Sequence, residues 1–122
     1  MSCEIDISDQ SDYLKIVLSG TSKLEDYAHA ADTALQKCVQ LHISKLLVDY
    51  RNLDVQTNVF EDLAFVEYLS QSAIRQTIRR VAVVHGSARD ETAPFFETMC
   101  QNRGLNVKTF TEYDVAEEWL KS

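Results

Sequence analysis

Glycine and proline are nearly missing from this chain: its 122 residues include three Gly and one Pro. That scarcity excludes a collagen-like, linker-rich or low-complexity disordered polypeptide. Basic residues are also in deficit, 12 Lys and Arg against 19 Asp and Glu, for a formal net charge of −7. Such a balance disfavours nucleic-acid binding and adhesion to an anionic membrane, since both draw on basic surface. The three cysteines, Cys3, Cys38 and Cys100, form no Cys-x-x-Cys pair and leave one odd thiol, which suits a reducing cytoplasm better than a disulfide framework. No apolar run nears the roughly 20 residues that span a bilayer. The opening Met-Ser-Cys-Glu-Ile-Asp has neither the basic nor the apolar stretch of a signal peptide. A cytoplasmic protein without membrane insertion is expected. Dinucleotide and Walker phosphate loops, the Gly-x-Ser-x-Gly elbow, His-Glu-x-x-His and paired cysteines are likewise missing. The expectation is a non-enzymatic protein with no cofactor and no bound metal.

What the chain does hold is apolar residues, 45% of the total, set out in two alternating periods. Its length fits a single domain over 1–122 that buries roughly two-thirds of its unfolded surface. Leu14, Ile16 and Leu18 recur at every second residue, a half-buried strand. A shorter strand near Glu4 to Ile7, with Ser8–Asp12 as its turn, makes a hairpin with it. Ser22 and Glu25 match a capping box for a helix whose stripe includes Leu24, Tyr27, Ala31, Leu35 and Cys38. The apolar run Leu46-Leu47-Val48, closed by Asp49, predicts a central strand, and a polar loop runs from Arg51 to Thr57. Asn58 with Glu61 predicts the cap of a second helix, with Phe60, Leu63, Ala64, Val66, Leu69 and Ala73 as its buried face. Val81–Val84 is the next strand. Pro94 falls in the first turn of a third helix and Gly104 just beyond its end. Val107–Phe110 is the last strand. Thr111–Asp114 then caps a final helix with Val115, Ala116, Trp119 and Leu120 on one stripe.

The order β-β-α-β-α-β-α-β-α implies an α/β fold: a mostly parallel five-stranded sheet with an antiparallel N-terminal edge strand and four helices. With every crossover on one side, the other sheet face stays partly open. The polar positions Tyr13, Lys15, Asn106 and Lys108 fit that face, which is a candidate homodimer surface or simply solvated.

Ligands of open parallel sheets gather at the carboxyl ends of the strands. Thr57, Asn58, Ser87 and Arg89 fall there and are candidates to hold an anion or a phosphorylated group at a helix N-terminus. The plainer reading makes Asn58 a helix cap and the others solvated loop residues. His85 at a strand end offers a base, but neither His29 nor His42 lies near it in sequence and no metal-ligand spacing appears. Asp49 is either a carboxylate of raised pKa or a hydrogen-bonded anchor. Cys38 and Cys100 sit on apolar helical faces and read as packing residues. Arg75, Arg79 and Arg80 offer an acidic partner a contact, or form a solvated helix end.

Three stretches carry a resemblance: Lys45–Leu53, Arg80–Val84, and Val107–Thr111 with Ala116-Glu117-Glu118-Trp119-Leu120 after it. Together they resemble the SpoIIAA-like family, a branch of the STAS superfamily of sulphate transporters and anti-sigma-factor antagonists. The resemblance covers nearly the whole chain. It implies a β/α superhelical fold and action by binding a protein partner. In the anti-sigma-factor antagonists, the loop after a strand like Leu47–Tyr50 ends in Asp-Ser, and a partner kinase phosphorylates that Ser. The aligned residues here are Thr57 and Asn58. Asn cannot be phosphorylated, which leaves Thr57 as the phosphorylation candidate. The function expected is a protein-interaction module with a regulatory role. The alternative is a small-molecule or lipid-binding domain, which a pocket lined by Phe60, Phe95 and Phe96 would support.

Overall fold

The computed structural model of the chain describes residues 3–55, 58–86 and 92–122. Among them run β1 (Cys3–Asp9), β2 (Leu14–Ser22), α1 (Leu24–Leu41), β3 (Lys45–Val55), α2 (Val59–Gln71), α3 (Ile74–Thr77), β4 (Arg80–Val84), α4 (Ala93–Asn102), β5 (Val107–Phe110) and α5 (Tyr113–Lys121). The hairpin pairs Ile5 with Leu18 and Ile7 with Ile16. Its turn is tighter than expected, because β1 continues to Asp9, whose carboxylate accepts the Ser11 N–H at 2.8 Å. Ser11 reverses the chain at a left-handed φ of 71°.

The strands stand in chain order across one sheet, and only β1 is antiparallel. Each crossover therefore steps one strand further in the same direction. Right-handed crossovers of that kind bring their helices to one face. On that face Ala34, Cys38, Val66 and Cys100 pack toward Ile16, Leu46 and Val83. α5 folds against the other face, where Ala116 and Leu120 meet Leu47, Ala82 and Val84. The expected open face is thus closed over β3, β4 and β5, which α5 contacts. Tyr13, expected on the solvated side, is 1% exposed beneath that helix. Asn106 and Lys108 do remain exposed, and Lys15 is half-buried.

Other expectations shift in detail. β3 does not end at Asp49. A register shift between Val17 and Ser19 lets Ser19–Ser22 continue pairing with Asn52–Val55, as a bulge permits. Ser22 consequently stays in β2 and α1 is capped from Lys23, whose N–H donates to Asp26 Oδ2 at 2.8 Å. α5 starts from Glu112 with no side-chain cap bond. A fifth helix, the single turn α3, follows where the Ser72 hydroxyl accepts the Ile74 N–H at 3.2 Å and buries Ile74. Gly104 occupies the left-handed region expected of it (φ 78°). A Cβ there would also stand 3.0 Å from the Arg75 guanidinium.

The face of α2 is the largest correction. Val66 and Leu69 are buried and Phe65 half-buried, whereas Phe60, Leu63, Ala64 and the following Ala73 are exposed. Apolar residues surround this helix on most sides, so no polar stripe marks which side turns inward.

Candidate functional site

The carboxyl edge of the sheet gathers the ends of β3, β4 and β5 with the N-termini of α2 and α4. Asn58 is the N-cap of α2, in extended conformation. Its Oδ1 accepts the Glu61 N–H at 2.9 Å, and Glu61 Oε1 accepts the Asn58 N–H at 3.3 Å. This is the reciprocal box that the Asn-x-x-Glu spacing predicts. Glu61 and Asp62 stand in the first turn and place negative charge at the positive end of the helix dipole. Thr57, Ser87 and Arg89, the other candidate anion-binding residues, lie outside the described residues. With its side chain committed to the cap, Asn58→Ala is expected to lower stability by about 1 kcal/mol. Urea denaturation measures that loss, and a change within 0.3 kcal/mol would show that the box contributes little.

Asp49 closes the paired stretch of β3 opposite Val84 and is 7% exposed. Arg51, two residues on, points to the same side. Its Nε donates to Oδ1 at 3.0 Å, its Nη2 to Oδ2 at 2.8 Å and its backbone N–H to Oδ1 at 3.2 Å. Burial pushes the carboxyl pKa up, but the hydrogen bonds and charge of Arg51, with the charge of Lys15, hold it below its ordinary value. A raised pKa was one expectation for this residue, and the shift runs the other way. Asp49 is an anchored charge rather than a poised base.

His85 is buried at the end of β4. Its backbone N–H donates to the Phe110 carbonyl at 2.9 Å, and its ring Nδ1 lies 3.0 Å from the Gly86 carbonyl. With Phe110, Thr111, Glu112 and Val115 it lines a shallow depression beside the start of α5. Gly86 keeps the strand ends close, since a Cβ there would come 3.2 Å from the Arg51 carbonyl oxygen. No cluster of three or more metal-ligating side chains occurs among the described residues. Cys38 and Cys100 are buried free thiols, and burial raises both pKa values, to about 11 and about 12. Both behave as the packing residues that their helical faces predict. Arg80 is turned inward on α5 rather than outward: its Nη1 donates to the Trp119 carbonyl at 2.6 Å and the Ser122 carbonyl at 2.9 Å.

On the α5 side, Tyr13, Tyr113 and Glu117 form a buried-edge network. The Tyr13 hydroxyl donates to Glu117 Oε2 and lies 2.7 Å from the Tyr113 hydroxyl. A hydroxyl has one proton to give, so Tyr113 is the donor to Tyr13. The Lys15 ammonium sits 4.8 Å from the Tyr113 ring centroid.

Sequence reasoning did not place three apolar residues of α2 and α4 in solvent. Phe60 is 79% exposed, Phe95 54% and Leu63 37%. Glu67 of α2 pairs with Arg103 at the end of α4, which fixes the two helices side by side. Phe60 and Phe95 each lie about two turns N-terminal of that pair in their own helices. Phe96 instead turns inward onto an interior cavity, and the pocket expected to hold all three phenylalanines is not formed in that way. The available signal was an excess of apolar residues on α2 over what one buried stripe needs.

No described helix is long and apolar enough to cross a membrane. Three solved structures share the architecture. An uncharacterized protein of the DUF3478 family with a SpoIIAA-like fold, from Shewanella loihica PV-4, superposes with a TM-score of 0.60 at 21% identity, over 97% of this chain and 93% of that one. An anti-sigma factor antagonist from Mycobacterium paratuberculosis gives 0.62 at 15% identity, over 99% and 96%. The anti-sigma factor antagonist SpoIIAA in its unphosphorylated form gives 0.61 at 10%, over 95% and 96%. At these identities the likeness is one of fold. Among curated proteins none matches the sequence. The model of the SpoIIAA-like family matches residues 13–121. That match runs from the buried Tyr13 to the last residue of α5, and the chain belongs to the SpoIIAA-like family.

Proposed function

We propose that this chain is a non-enzymatic, STAS-like protein-interaction module with a regulatory role, acting in the cytoplasm. The observation that carries this reading is the exposure of Phe60 and Leu63 in the first turns of α2 and of Phe95 in the first turn of α4. Large apolar side chains left in solvent are the raw material of contact surfaces when they join into a patch. Two proteins that share the fold are described as anti-sigma factor antagonists, which lends support to a role exerted through another protein. The net charge of −7 and the carboxylates of Glu61 and Asp62 in the same helical turn favour a partner with an apolar contact ringed by basic residues.

Phe60→Ala provides the test. An aromatic anchor at the centre of an interface is worth about 2 kcal/mol or more, so affinity for the partner recovered with the native protein should fall at least about thirtyfold. Folding stability should move by less than about 0.5 kcal/mol, because the ring is mostly in solvent. Native mass spectrometry of the protein from its own cells identifies the partner and counts subunits. Recovery of the bare chain, or undiminished binding by the variant, would overturn the reading.

A further inference from the structure

The two ends of the parallel sheet differ in charge. None of the 19 acidic residues falls in 39–47, 72–82 or 101–108, the segments that lead into β3, β4 and β5 at their amino ends. The carboxyl ends of the same strands, and the helix starts beyond them, hold Asp49, Asp54, Glu61, Glu112 and Asp114. In a chain of net charge −7, the amino end of the sheet is a basic island.

Three arginines form it. Arg75 and Arg79 each follow a buried isoleucine, Ile74 and Ile78, and both are exposed. The Arg75 guanidinium lies against Gly104, where a Cβ would stand 3.0 Å from its Nε. Arg103, the residue before that glycine, pairs with Glu67 through its Nε and donates from Nη1 to the Met99 carbonyl at 3.3 Å. The backbone of Arg79 is clamped from two sides: its N–H donates to the Ser44 carbonyl at 2.7 Å, and its carbonyl accepts the Asn106 amide at 3.1 Å. That fastens Arg79 between the starts of β3 and β5. Arg80, their neighbour in sequence, is engaged with the end of α5 instead. Among the described residues, the side chains of Arg75 and Arg79 have no hydrogen bond or ion pair.

We infer that the amino end of the sheet docks a short acidic segment of a partner protein, whose carboxylates are received by Arg75 and Arg79 with Arg103 adding charge beside them. A guanidinium is a planar fork of donors that matches a carboxylate in two parallel hydrogen bonds, and two of the three here have their donors open. The island is bounded: Glu67 stands on α2, Glu118 on α5 and Asp12 in the hairpin turn before β2. A nucleic-acid duplex or an anionic bilayer extends its negative charge past the island and meets those carboxylates, whereas a short peptide does not. The surface lies at the opposite end of the sheet from Phe60, Leu63 and Phe95, so it stands or falls apart from the partner-binding reading given above.

The test is an amide NMR titration of the full chain with end-blocked hexaglutamate at low salt, with hexaglutamine as the neutral control. Hexaglutamate should shift the amides of Arg75, Arg79, Arg103 and Gly104 and leave those of Phe60 and Phe95 in place, and hexaglutamine should shift none of them. Arg75→Gln with Arg79→Gln should weaken binding at least about tenfold, and Phe60→Ala should leave it unchanged. If the double variant does not fold, Arg75→Gln alone should weaken binding at least about threefold. Raising the salt to about 0.3 M should weaken the wild-type complex as well. Silence of these amides, shifts centred elsewhere, or undiminished binding by a folded variant would overturn the site. Tighter binding of a DNA duplex or of phosphatidylserine vesicles than of hexaglutamate would overturn the choice of an acidic segment. Dimerisation of the wild type that the double variant loses would likewise overturn it, in favour of a second copy.

Discussion

Leu120→Ala is expected to destabilise the fold by about 3 kcal/mol, within the range for a fully buried leucine cut back to alanine. Leu120 is completely buried, as are Leu47, Ala82 and Val84 on the sheet beneath it. The helix that carries it is short, nine residues from Tyr113 to Lys121, and too brief to persist without tertiary packing. Only Ala116 accompanies Leu120 as a fully buried residue of α5, so truncation removes most of the apolar anchor at one stroke. The four sheet-facing helices are untouched by the change. Urea denaturation should show the loss in stability, and hydrogen exchange should show the amides of α5 opening before those of β3 and β4. A loss below about 1 kcal/mol would mean that the second face holds together without this helix.

Tyr13→Phe is expected to cost about 2 kcal/mol, the scale for a hydrogen bond to a charged group. The substitution keeps the ring and removes only the hydroxyl that links Tyr113 to Glu117. Both partners then lose a bond at the edge of a buried face. In the double-mutant cycle with Glu117→Gln, the two changes should together cost less than their sum, by about 1 kcal/mol. The same network makes stability depend on alkaline pH. Burial, first, and then the bonds to Glu117 and Tyr113 raise the Tyr13 pKa far above its ordinary 10.0. A group raised in the folded state contributes fully below its unfolded pKa and progressively less as pH rises beyond it. Wild type should therefore lose stability above about pH 10 more steeply than Tyr13→Phe does. Parallel pH profiles for the two would remove Tyr13 from the account.

Elements whose local chemistry agrees with their packing were legible from sequence. Val81–Val84 is apolar throughout because it lies between two helical layers, and Asn58 with Glu61 spells its own cap. Gly104 marks the turn after α4 for the same reason. The misreadings arise where tertiary context decides. Periodicity could not orient α2, since apolar residues ring it. Tyr13 looks like a surface residue until α5 is known to cross beneath the sheet. β3 outruns Asp49 because a bulge in its pairing with β2 carries the ladder on to Val55. Of the candidate site, Asn58 was legible in its capping role. The cavity that Phe96 lines was not, because it consists of what Ala30, Ala31 and Ala34 leave unfilled, and no residue announces an absence of neighbours.

At the rim of the sheet, β1 governs how copies of this chain meet. The outer N–H and C=O groups of an edge strand pair with any extended segment of suitable length, which is how ordered aggregates begin. β1 alternates Glu4 and Asp6 with its two isoleucines and ends in Asp9. A second β1 laid alongside it would bring carboxylates close across the new seam, where like charges repel. The opposite rim, β5, is only four residues long and carries Lys108, too short a template to grow from. Both rims of the sheet thus carry features that oppose edge-to-edge addition of a second copy.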